Sequence, residues 1–151
     1  MKNLIRRISF RRSDELPFNG IKAIQAHLDH RTRIESYVNG LTNQHPDENA
    51  ICKIDCILGK SLHDGQGAQK MNLNLVNQAC NSCEIFHEAA AQVVLHFEMG
   101  QREWAKSALV EGQTFHKASD DFQKNLAELH VASWLDTSTE QSDPHLSFVS
   151  Q

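Results

Sequence analysis

Apolar residues recur every three or four positions along most of the chain, and no segment shows sustained alternation of apolar and polar residues. That period belongs to helices with one buried face, not to strands. In the first segment Ile21, Ile24, Leu28, Ile34, Val38 and Leu41 share a face, and His27 falls among them. A second segment, roughly Asp47 to His63, is less regular: Ile51, Ile54, Leu58 and Leu62 define one helical face, while Cys52, Cys56, Gly59 and His63 fall on another. The third carries a continuous stripe through Val76, Ala79, Cys80, Cys83, Phe86, His87, Ala90, Val94 and Phe97. In the fourth, Ala105, Ala108, Gly112, Phe115, Ser119, Phe122, Leu126 and Leu129 repeat almost as heptads. Gly20, Asn39–Gly40, Asp64–Gly67 and Gly100 punctuate these segments. The pattern predicts an all-α chain, an antiparallel four-helix bundle joined by short turns with flexible N- and C-terminal extensions. The expected divisions are a basic arm at 1–16, a helical bundle at 17–135 and a polar, aperiodic tail or linker at 136–151.

The 151 residues suit one domain with a real core. A formal net charge of −4 argues against nucleic-acid binding by the whole surface, although Lys2, Arg6, Arg7, Arg11 and Arg12 make the start locally basic. No apolar run of signal-peptide length follows those charges. The most apolar stretch, AAAQVVLHF, is short and carries Gln92 and His96, so no membrane insertion is expected. The chain reads as cytoplasmic, where cysteines are reduced or metal-bound more often than paired in structural disulfides.

That compartment raises the question of the four cysteines and nine histidines. Cys83 and His87 are four residues apart, about one helical turn, so both project from the same face. Zinc takes four borderline or soft ligands, commonly Cys thiolate and His nitrogen, and a bundle can supply them from facing helices. His27 on the first helix and Cys56 on the second complete a possible Cys2His2 set with Cys83 and His87, and His30 is a reserve should the first helix be rotated. The plainer reading is packing. A buried cysteine behaves as a small hydrophobe, and a histidine on an apolar face is commonly a core residue with a satisfied hydrogen bond. Cys80 and Cys83 also make a C-x-x-C, but inside a helix rather than after the strand of a thioredoxin-like unit. Cys52 and Cys80 read as packing residues or as resolving thiols for an oxidised Cys56 or Cys83. Trp104 and Trp134 are expected to pack against the bundle, and Asp120 and Asp121 to lie on a solvated face. His116 has no obvious partner in the sequence.

The runs KAIQAHLDH, CILGKS and CEIFHEAAAQVV together resemble the chemoreceptor zinc-binding domain, the CZB family, over about Pro17 to His130. That family carries a histidine on its first helix, a Cys-x-Leu/Phe-Gly-x-Trp motif and a His-x-x-x-His pair on a later helix. By position the resemblance implies His27, Cys56 and His87 as zinc ligands, with Cys83 where the family has its remaining histidine. Ser61 stands at the tryptophan of the Gly-x-Trp motif, and His30 at a tryptophan three residues after the first histidine. What the resemblance implies is a Zn2+-binding sensory or regulatory module, usually a homodimer, that controls a chemoreceptor or a diguanylate cyclase through metal occupancy or thiol oxidation, in chemotaxis or cyclic-di-GMP signalling.

Four protein ligands would close the coordination sphere and leave no position for water or substrate, so the expectation is a protein that is not an enzyme. Two alternatives stand beside it: a metal-free helical adaptor or interaction bundle, and a thiol-redox switch in which metal plays no part.

Overall fold

The computed structural model describes residues 18–46 and 71–139. The second predicted segment, with Cys52 and Cys56, lies outside these residues, as do the basic arm and the chain beyond 139. Every regular element among the described residues is a helix, as the spacing predicts, and none of them is a strand. In chain order these are α1 (Gly20–Val38), α2 (Leu73–Glu98), α3 (Arg102–Ala108) and α4 (Thr114–Thr139).

Local chemistry sets the ends. Asn19 Oδ1 accepts the Lys22 N–H at 3.1 Å at the start of α1, and Asn72 Oδ1 accepts those of Asn74 and Leu75 at 3.0 and 3.3 Å at the start of α2. Each satisfies N–H groups that the first helical turn cannot. Both helices end in the same way. Gly40 and Gly100 take φ of 73° and 82°, the left-handed region that L side chains disfavour. Their N–H groups turn back onto Tyr37 O and Phe97 O, and those of Leu41 and Gln101 onto Ser36 O and His96 O. These are paired Schellman bonds, and they stop the helix where the glycine permits the reversal.

The fourth periodic segment is two helices rather than one. Leu109 and Val110 donate to Lys106 O and Ser107 O, and Gln113 donates to Val110 O. These tight turns close α3 before Gln113 O accepts the Lys117 N–H as the first bond of α4. At its far end α4 continues to Thr139, taking in the first four residues of the tail expected from Asp136. Once a helix is established each further residue adds a bond at little cost, and Asp, Thr and Ser are weak rather than prohibitive helix formers.

The core follows the stripes. Ile34 and Val38 from α1, Val76, Ala79, Cys83, Phe86, Ala90, Val93 and Val94 from α2, Ala105 from α3, and Phe115, Phe122, Leu126 and Leu129 from α4 are buried together. The most extensive helix pair is α2 with α4; α1 packs on α4, and α3 on α2. Both tryptophans depart from expectation: Trp104 is 45% exposed and Trp134 56%. Each lies against an imidazole instead of inside the core, Trp104 with its ring centroid 3.8 Å from that of His96 and Trp134 at 6.0 Å from His130. Among the described residues no helix is long and apolar enough to cross a membrane.

Candidate functional site

The third turn of α1 carries the first candidate ligand into the core. His27 is 6% exposed, and its imidazole meets Phe86 of α2 and Phe122 of α4 edge-on, at centroid distances of 4.4 and 4.9 Å. Aromatic rings favour this edge-to-face arrangement. Its Nε2 lies 2.8 Å from Ser119 Oγ of α4. Ser119 is fully buried and receives two further side chains, Arg31 Nη1 and Gln123 Nε2, each at 3.2 Å.

One turn along, half-buried His30 faces α2. Its ring centroid is 5.5 Å from that of His87, with the planes tilted by 40°, and 6.1 Å from that of Phe86. Burial pushes the basicity of both α1 histidines down, to a pKa of about 4 in each case. After desolvation, His27 is depressed by the charges that His30, His87 and Arg31 would place beside it, against an opposing effect of the Ser119 backbone. For His30 the further causes are His87 and Arg33. At neutral pH both imidazoles are therefore uncharged, the form in which a ring nitrogen can ligate a metal.

Behind Ser119 runs a polar network toward the surface. Arg31 Nε donates to Glu35 Oε1 at 2.9 Å and Nη2 to His116 Nδ1 at 2.8 Å. His116 Nε2 in turn lies 3.3 Å from Glu35 Oε1, which closes a three-member ring. Arg31 Nη1 also comes within 3.7 Å of Asp120, which is exposed as expected. His116, without an obvious partner in the sequence, is thus held by two α1 residues.

Of the four ligands expected from the sequence, His27 stands on α1 and His87 on α2; the reserve, His30, has its ring beside that of His87. Cys83 lies one turn from His87 on α2 and is buried, 1% exposed. Cys56 lies outside the described residues. In kind, imidazole nitrogen and thiol sulfur suit zinc. In arrangement the described donors fall short, because among the described residues no three or more His, Cys, Asp or Glu side chains are grouped so as to hold a metal ion.

Sequence reasoning missed Ser119, Arg31 and Gln123. Two signals pointed to them. Ser119 is the one hydroxyl on the otherwise apolar stripe of the fourth segment, and a buried hydroxyl needs a partner. Arg31 stands four residues after His27 and four before Glu35, so one helix face carries all three. No family model matches the chain, and neither a curated protein nor a solved structure shows significant similarity to it.

Proposed function

We propose that this chain is a non-catalytic, zinc-binding regulatory bundle of antiparallel helices whose metal occupancy or thiol oxidation controls a signalling output. The ligand set is His27, Cys56, Cys83 and His87, with His30 alongside. One observation supports it above the others: His30 of α1 lies 5.5 Å, ring centroid to ring centroid, from His87 of α2, and burial holds the α1 imidazoles His27 and His30 neutral. Two imidazoles and two thiolates around Zn2+ sum to about zero charge, which lowers the cost of burial between helices. Completing the site requires the segment bearing Cys56 and a turn of His27 relative to Ser119. A cytoplasmic homodimer acting on a chemoreceptor or diguanylate cyclase module fits the same reading through its resemblance to the CZB family.

The test is elemental analysis of protein purified without chelator. About one zinc per chain is expected, falling on Cys56→Ser or His87→Ala substitution. Zinc-free protein that does not take up added zinc overturns the reading. A metal-free interaction bundle is the second reading, favoured by the full burial of Cys83 and the lack of a three-donor group among the described residues.

A further inference from the structure

We propose that the cleft between α2, α3 and the start of α4 binds an uncharged, planar nitrogen heterocycle of about two fused rings, read at its edge by Gln92 and Gln113. Such a ligand needs no metal, so its binding is independent of the zinc reading. Two helices shape the cleft by the same spacing. Ala89, Gln92 and Val93 of α2, and Trp104, Ser107 and Ala108 of α3, each stand at i, i+3 and i+4, so each trio shares one helical face. Ala89, Ser107 and Ala108 are too small to fill the space between those faces. A cavity of about 380 Å3 remains, with buried Val93 and Phe115 among its walls. Ligand pockets run from about 300 to 1,000 Å3, so this one suits a small ligand.

The walls set the chemistry. Trp104 offers an indole on which a flat ring can stack. That indole is held in place by His96, which does not line the cleft: the two ring centroids are 3.8 Å apart, and His96 Nδ1 is hydrogen-bonded to Gln101 Oε1. Among the described residues that line the cleft none is acidic or basic. A charged ligand would therefore lose water there without gaining a counter-charge. The Ser107 hydroxyl is already committed, donating to Trp104 O at 2.7 Å. Gln92 on α2 and Gln113 just before α4 line the cleft and are exposed. A carboxamide carries a donor and an acceptor side by side. Its complement is a ring nitrogen next to an amino group, the edge by which glutamine pairs with adenine.

The test is an NMR titration of the uniformly 15N-labelled full chain with adenine. Saturable shifts are expected at the Trp104 indole N–H and at the Gln92 and Gln113 side-chain amides, with a Kd on the order of 1 mM or below. Quinoline has the same two-ring size without the donor–acceptor edge and is expected to bind about fivefold more weakly, the worth of one ordinary net hydrogen bond. Quinoline-3-carboxylate, which adds a charge, is expected to bind more weakly still. Gln92→Leu and Gln113→Leu are each expected to weaken adenine about fivefold and to leave quinoline unchanged. Ser107→Leu fills the cleft from an exposed position and is expected to abolish adenine binding. Absence of a saturable Trp104 shift at about ten times that adenine concentration overturns the assignment. Quinoline as tight as adenine, a tighter carboxylate, adenine affinity unchanged in both glutamine variants, or adenine binding retained in Ser107→Leu each overturns it as well.

Discussion

At the scale of single residues, the depressed basicity of His27 and His30 has a direct thermodynamic consequence. Both are lowered from 6.5 to about 4. As pH falls below 6.5 the unfolded chain takes up protons at these positions and the folded chain does not until about pH 4. Stability is therefore complete above pH 6.5 and declines across the window from 6.5 to 4. For the deeply buried His27 alone the loss is on the order of 3 kcal/mol. Urea titration of chelator-treated protein is expected to show a lower midpoint at pH 4.5 than at pH 7.5, and a His27→Leu variant a smaller drop. A midpoint independent of pH would mean that His27 is not buried as described. Gly20 carries a second prediction. A Cβ there would overlap the Cβ of His130 and come within 3.1 Å of Leu126 O, while the Gly20 N–H already donates to His130 Nδ1 at 3.2 Å. Alanine favours helix by about 1 kcal/mol, but overpacking costs about 1–3 kcal/mol. Gly20→Ala is expected to lower stability, and a rise in melting temperature would show that α1 and α4 do not approach so closely.

At the scale of elements, the termini and the central pair separate two kinds of energy. The Asn72 cap serves two N–H groups, so Asn72→Ala is expected to cost about 1 kcal/mol. A Cβ on Gly100 would meet nothing within 4 Å, so Gly100→Ala carries only the conformational cost of a left-handed residue, about 1–2 kcal/mol. Phe86 is different in kind: fully buried where α2 meets α1 and α4, it also holds its ring against His27 and Phe115. Phe86→Ala is expected to cost about 3–5 kcal/mol and to change the surroundings of His27, seen as an altered ring-nitrogen spectrum. A Phe86→Ala loss no larger than that of the cap variant would place the core elsewhere.

For the whole molecule, the helical class was legible because burial repeats with the helical period. The third stripe, Val76 to Phe97, is buried or half-buried at every position named for it. Where the period misleads, the cause is the end of an element. Ile21 lies in the first turn of α1 and Leu41 beyond its last, and both are exposed. The break between α3 and α4 was hidden because Gly112 keeps the heptad spacing while the chain turns. The site was less legible than the fold. Period places His27 and His87 on inward faces, but which helix meets which, and at what rotation, is set by tertiary packing. Hence the His30–His87 approach and the three-way sharing of Ser119 could not be read from one helix at a time.

The two exposed tryptophans, each beside a histidine, also determine how the protein emits light. Indoles that are already about half in water when the chain is folded have little further polarity change to report on unfolding. The emission wavelength of Trp104 and Trp134 is therefore expected to shift only slightly through a thermal transition that circular dichroism records in full. Brightness should instead follow the neighbouring rings, since His96 stacks on Trp104 at 3.8 Å. His96→Leu is expected to change the brightness of the folded protein, and Trp104→Phe to remove that difference.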